Sequence, residues 1–283
     1  MSFEAFAPLM FAGLVGTLLI GFPVAFSLAA LGLLCGFIAI EMGIFPVAFM
    51  GNLPLNVLGI LSNDLLLAIP FFTLMGAILE KCGLAEDLLD SMGQLFGPTR
   101  GGLGYSVIVV GFILGAITGT VAGQVIAMAM ISLPVMMRYG YDMRYATGVL
   151  AASGTITQLV PPSLVLVVMA DQLGRSVGDM YKGAWGPSLL QVLLFALYTF
   201  ALSRLRPAKL PALPPEARTL HGWALWRKCL RGIIPSAILI FAVLGSMGGI
   251  PGITTAIATP TEAGAMGAVG AVALAALQRR LSW

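Results

Sequence analysis

Residues 153–163 read SGTITQLVPPS, from Ser153 to Ser163. Two threonines, a glycine and a glutamine run into adjacent prolines, Pro161 and Pro162, and apolar sequence lies on either side. Proline has no N–H, and its ring blocks a helix from continuing across the preceding turn. A helix entering this stretch therefore stops. The carbonyls of residues 157–159 then lose the donors that they would have had four residues on. Inside an apolar medium each such orphan costs several kcal/mol. The break persists only where protein or a polar cavity covers it.

The medium follows from composition. The chain has 283 residues, 59% of them hydrophobic and only 10% charged, with a mean hydropathy of +0.98. Soluble domains carry about 25% charge. Apolar runs of about 20 residues, enough to cross a bilayer core as a helix, recur along the chain. The alternating ten-residue strands of a membrane barrel do not appear. The fold class is an all-α polytopic membrane protein.

Charge sets an orientation. Seven of the fifteen Lys and Arg residues lie between Arg204 and Arg231, with Glu216 the one acid among them. By the positive-inside rule the basic loop 204–231 is expected in the cytoplasm, with Arg279 and Arg280 on the same side. Glu4 and the lack of Lys or Arg before Lys81 place the N-terminus outside. The first 20 residues lack a basic n-region, so no cleaved signal peptide is expected. Three scattered cysteines and one histidine, His221, argue against a metal site or catalytic His. With no acidic cluster in the spans, an enzyme is not expected. Neither a phosphate loop nor a basic–aromatic patch suggests nucleic acid, and membrane lipid is the expected surrounding.

Along the chain, helices are expected over about 6–21 and 24–40, split by Gly21-Phe22-Pro23, and over 44–62. Ser62-Asn63-Asp64-Leu65 reads as a capping signal before an arm of a re-entrant hairpin at 62–82. Residues 84–99 pattern as an amphipathic helix lying at the interface. The apolar block 101–137 is broken by GAITGT at 115–120. A short helix at 145–158 ends at the double proline, 163–170 resumes, 171–182 is a polar connector, and 183–203 is a clean span. A Pro-rich basic linker, expected extended, precedes HGWALWRKCL (221–230), whose tryptophans suit an interface. Spans follow at 232–249 and after Thr254. Glu262, in an otherwise uncharged span, is either a functional group or a cap for backbone near Pro260.

Two hydroxyl-rich breaks, Thr118-Gly119-Thr120 and Ser153–Ser163, thus lie in one apolar block. Paired broken helices near the midplane point to a transporter binding site. Freed carbonyls, hydroxyls and the negative end of a half-helix suit a hard cation such as Na⁺.

AIPFFTLMGAILEKCGLAEDL, GGLGYSV, GAITGT, MMRYGYDMRYATGVLAASGTITQLVPPS and IATPTEAGAMGA follow one another in this order. Together they resemble the large membrane subunit of the TRAP transporters, the tripartite ATP-independent periplasmic transporters. The resemblance covers nearly the whole chain. It implies an inverted-repeat, elevator-type transporter with re-entrant hairpins, driven by Na⁺ and needing no organic cofactor. It also implies import of a small organic acid across the bacterial inner membrane, with a periplasmic substrate-binding protein and a small membrane subunit as partners. Mapped onto this sequence, the sodium positions are Thr118, Gly119, Thr120, Thr157, Val160 and Pro162. Substrate contacts would involve Asn63, Asp64, Ser153, Gly154, Thr155 and Ser163, with helix capping the alternative for Asn63 and Asp64. Threonines at 118 and 120 replace the more usual serines, threonine at 157 replaces glycine, and Gln158 is unusual.

Residues 1–203 correspond to a first repeat, with scaffold helices over 1–62 and transport segments over 101–170. Residues 204–231 join it to the start of a second repeat at 232–283. Only the helix opening at Thr259–Ala263 represents the rest of that repeat. The alternative expectation is a truncated or split-gene fragment without transport activity of its own.

Overall fold

The computed structural model describes residues 3–118, 121–217, 223–250 and 256–278. Every regular element among the described residues is a helix, and no strand occurs among them, as the composition requires. Two compact units divide after Asn63.

The first unit holds α1 (Phe3–Leu19), α2 (Val24–Glu41) and α3 (Ala48–Leu61). Gly21 at φ +91° turns the chain into Pro23, which precedes α2. Of the described residues here, only Ser27, Cys35 and Ala39 are buried, while Phe11, Phe26, Leu55 and Leu61 are largely exposed. Helices that are apolar all round and yet uncovered by protein need lipid as their solvent.

The second unit holds α4 (Ala68–Lys81), α5 (Leu84–Phe96), α6 (Gly102–Thr118), α7 (Val121–Arg138), α8 (Met143–Thr155), α9 (Leu164–Leu173), α10 (Val177–Leu205), α11 (Trp223–Ser246) and α12 (Pro260–Leu277). Five of the described helices (α2, α7, α10, α11 and α12) are long and apolar enough to cross a membrane. This is an all-α polytopic membrane protein. Central in the second unit is α6, which touches α4, α5, α7, α8, α10 and α11. Its Val107, Ile108 and Leu114 join Met75, Leu88, Met128, Leu150 and Tyr181 in one core.

Several expectations change. The capping signal at 62–65 does not sit at the start of a helix: α4 begins at Ala68 after Leu67, without a side-chain cap. The turn at 65–69 closes on its own backbone through Ala68 N–H to Leu65 O and Ile69 N–H to Leu66 O. The amphipathic helix is not a lone interfacial element. It bends 63° from α4 and buries Leu88, Leu89 and Met92 against α6 and α11. Its Asp90 pairs with Lys228 of α11. The polar connector 171–182 is shorter than expected, since α10 starts at Val177 and buries Tyr181. Trp223 and Trp226 lie in the first turns of α11, a single helix continuing to Ser246.

Block 101–137 is not one broken span. α6 and α7 run antiparallel: Gln124 early in α7 reaches back to Gly111 O, and Tyr141, just past α7, accepts from Leu103 N–H at the start of α6. The apolar pattern of two arms cannot be told from that of one interrupted span, because both arms are apolar; packing sets the direction of the second. Thr118 ends the first arm, and Gly119 and Thr120 lie outside the described residues.

The linker is not a free extended spacer. Its first part folds into a 3-10 turn at Pro207–Lys209 and is strapped across helix ends. Asp142 N–H donates to Lys209 O at 3.0 Å, Gly101 N–H to Leu210 O at 3.2 Å, and Leu213 N–H to Gly97 O at 2.9 Å. Leu210 and Leu213 are buried. Lys209 Nζ meets Asp142 Oδ2 at 2.6 Å, while Asp142 Oδ1 caps α8 by accepting from Arg144 and Tyr145 N–H. Lys209 above all, and then these backbone donors, hold the Asp142 carboxyl below its ordinary value of 3.8. A carboxyl lowered by folding stabilises the fold while ionised. That contribution is complete above 3.8 and is lost as pH falls through the lowered value. Asp142→Asn keeps a capping oxygen and removes the charge. We expect it to lower the melting temperature of the detergent-solubilised protein at neutral pH, and the gap from the parent to close on acidification. A gap independent of pH would show that the ion pair contributes nothing.

Candidate functional site

Pro161 and Pro162 end α8 as their chemistry demands. The helix tightens into a 3-10 turn over Ile156–Gln158 before α9 resumes at Leu164. Leu159 and Val160 N–H both turn back to Ile156 O. The released carbonyls are met by serines. Ser163 Oγ donates to Gln158 O at 2.7 Å, and the single hydroxyl proton of Ser188, from α10, is shared between Leu159 O at 2.8 Å and Ala184 O of its own helix at 2.6 Å. Tyr181 OH donates to Ser163 O at 3.4 Å. The break is thereby held against α10 deep in protein, with Ser153, Thr157, Val160 and Ser163 all buried.

The α6–α7 hairpin approaches the break from the other side. Gly115 lies so close that a Cβ there would stand 3.0 Å from Thr157 Cα and 3.2 Å from its N. A Cβ on Gly111, one turn earlier, would meet Ser153 Cβ at 2.9 Å. From α7, buried Gln124 donates Nε2 to Gly111 O at 2.8 Å and accepts on Oε1 from the Thr157 hydroxyl, which also lies 2.7 Å from Gly154 O. The hairpin arms and the broken helix thus converge on Thr157.

Thr157 sits at this convergence, and Val160 and Pro162 are buried in the break that follows it. Thr118 ends α6 one turn beyond Gly115. Of the expected substrate positions, Ser153 bonds Leu150 O at 2.9 Å and Ser163 bonds Gln158 O, so both hydroxyls face backbone. Thr155 is exposed on α8, 3.5 Å from Gln191 Nε2. Asp64 lies elsewhere, in the turn before α4, where its carbonyl accepts from Thr261 Oγ1. Asn63 closes the first unit.

Glu262 is a cap. Thr259 Oγ1 accepts from Glu262 N–H at 3.3 Å, and Glu262 Oε2 accepts from Thr259 N–H at 2.8 Å. This is a reciprocal capping box with Pro260 at the first helical position. The T-P-T-E motif starts α12.

Gln124 and Ser188 went unnoticed as sequence. Gln124 is the lone amide in α7, and a polar side chain within a span is a candidate by default. Ser188, Thr199 and Ser203 recur on one face of α10, and all three are buried.

A family model described as the Tripartite ATP-independent periplasmic transporter, DctM component, matches residues 11–283. The chain belongs to this family. Among curated relatives, the C4-dicarboxylate TRAP transporter large permease protein DctM of Pseudomonas aeruginosa is 35% identical over 202 residues, which cover 71% of this chain and 44% of the relative. The 2,3-diketo-L-gulonate TRAP transporter large permease protein YiaN of Escherichia coli is 30% identical over 263 residues, 92% of this chain and 57% of the relative. The isethionate TRAP transporter permease protein DctMQ of Oleidesulfovibrio alaskensis is 30% identical over 269 residues, 92% of this chain and 40% of the relative. The chain spans about half the length of the curated relatives it matches. These relatives are permeases rather than enzymes.

Ser188 ties the break to α10 in this chain. Ser188→Ala removes that hydroxyl and should cost about 1 kcal/mol, the usual worth of a buried membrane hydrogen bond. Thermal unfolding in detergent checks it. Stability equal to the parent's would show that Leu159 O needs no protein donor.

Proposed function

We propose that this chain forms the first-repeat part of a large permease subunit in a Na⁺-coupled TRAP transporter. The whole transporter imports a small organic acid delivered by a periplasmic binding protein, with a small membrane subunit completing the complex. The observation that carries the reading is the convergence of the α6–α7 hairpin and the broken helix on Thr157, where neutral oxygens are packed away from water.

The donor set fits the ion. Around Thr157 the available atoms are hydroxyl, amide and backbone oxygens, which suit a hard cation. Among the described residues no cluster of His, Cys, Asp or Glu favours a transition metal. The end of α8 adds the negative pole of its helix. Thr157 and the backbone at Val160 would hold Na⁺ from the broken helix, with Thr118, Gly119 and Thr120 closing the site from the hairpin. Pro162 keeps the broken helix open. A bound Na⁺ places positive charge beside α8, which favours an organic anion nearby. Thr155 offers an exposed hydroxyl to that anion. Ser153, Gly154 and Ser163 fix the backbone around it. The names of the three relatives refer to C4-dicarboxylate, 2,3-diketo-L-gulonate and isethionate, all small organic anions, which supports that substrate class here.

In this reading transport proceeds by an elevator motion in the inner membrane, with the α6–α7 hairpin and α8–α9 in the moving element. The segment 204–231 faces the cytoplasm. Its Lys209 is paired with Asp142 between Arg138 and Arg144, so basic residues of the linker and of the α7–α8 turn gather at one end, as the positive-inside rule favours.

The test is uptake of a labelled C4-dicarboxylate into vesicles holding the complete transporter, titrated with Na⁺. Thr118→Val, Thr120→Val and Thr157→Val each remove a hydroxyl at nearly constant volume. Each should raise the half-saturating Na⁺ concentration by about tenfold or more, equivalent to roughly 1.4 kcal/mol of lost binding. Unchanged Na⁺ dependence in all three would sink the site assignment.

A further inference from the structure

We infer that Gln124 is a specificity-determining ligand position of the cation site, its side-chain carbonyl supplying an oxygen beside Thr157. The inference rests on the Na⁺ reading above and adds a residue from the second arm of the hairpin. Gln124 is 1% exposed and Thr157 is 0% exposed, so neither side chain can turn to water. The orientation of the amide is forced. Its neighbour on one side is Gly111 O, 2.8 Å away. A backbone carbonyl only accepts, so nitrogen must face it, and Oε1 must face Thr157. A flipped amide would set two carbonyl oxygens against each other.

Thr157 then has two acceptors within reach, Gln124 Oε1 and Gly154 O, and one hydroxyl proton. The proton serves one carbonyl at a time, and the hydroxyl turns its lone pairs toward the other. Three oxygens crowd a water-free spot at the negative end of α8. A cation converts that crowding into coordination, because it takes lone pairs from all three together. The lone amide of α7 therefore does more than join helices. Its carbonyl is aimed at the ion position by the bond to Gly111 O.

The experiment is thermal unfolding of the purified full chain in detergent, titrated with NaCl at constant ionic strength against choline chloride. Gln124→Met keeps the volume and removes the oxygen; Gln124→Glu, buried and therefore held as the neutral acid, keeps an oxygen toward Thr157 and gives its O–H to Gly111 O. The parent should show a Na⁺-specific rise in melting temperature. Gln124→Met should shift the half-maximal Na⁺ concentration upward by about tenfold or more, and Gln124→Glu should hold it at or below the parent's. A purely structural role would lower the melting temperature in choline and leave the half-maximal Na⁺ concentration alone, which overturns the inference. Hydrogen exchange of the parent chain supplies a second measurement that needs no variant. Na⁺ should slow exchange both at residues 154–159 and at 122–128. Protection confined to 154–159 overturns the inference while keeping the Na⁺ reading. No Na⁺ effect in either measurement overturns the Na⁺ reading itself.

Discussion

Backbone carbonyls set free in an apolar interior must find donors, and the second unit is arranged around that demand. Pro161 and Pro162 supply no N–H to the turn before them. Ser163 and Ser188 give their hydroxyls to Gln158 O and Leu159 O, and Tyr181 reaches Ser163 O. Each donor needs its helix at a fixed height and rotation. The break therefore positions α10 as firmly as α10 covers the break. On the opposite face, Gly111 and Gly115 remove the side chains that would keep α6 from the 3-10 turn.

The solvent explains why polar groups gather inside and apolar ones outside. Lipid offers no hydrogen bonds, so Ser106, Gln124, Ser153, Thr157, Ser188 and Thr199 are buried and bonded mostly to backbone carbonyls. Phe and Leu side chains of α1–α3 lie uncovered at no cost in lipid. Each inward bond contributes roughly 0.6–2 kcal/mol, and the set fixes the rotation of the helices more than it adds to stability. At Thr157 the oxygens outnumber the protons of the one hydroxyl between them.

Much of this was legible along the chain. The double proline announced the end of α8, and the length of the apolar runs announced a membrane fold. The direction of α7 was not legible. An apolar stretch, a glycine–threonine interruption and another apolar stretch describe a broken span and a hairpin equally well. Only the Gln124–Gly111 and Leu103–Tyr141 bonds decide between them. Ser62 to Leu65 carried the residue types of a cap, but α4 starts later, at Ala68, and its N-cap position is Leu67. Glu262 could be read two ways until its carboxylate was found on Thr259 N–H. Gln124 escaped the sequence reading, because a lone amide in an apolar helix does not reveal its partner.

What the amino acids determined by themselves is local or compositional: lipid as the solvent, the helix-stopping effect of Pro161 and Pro162, and the hydroxyls gathered beside them. Each of these depends on residues near in sequence or on bulk hydropathy. The convergence of hairpin and broken helix on Thr157, the orientation of the Gln124 amide and the strapping of the linker to Asp142 were decided by tertiary structure. They join residues from 13 to 67 positions apart. No periodicity carries that information, because partners so distant are selected by packing, one helix face against another.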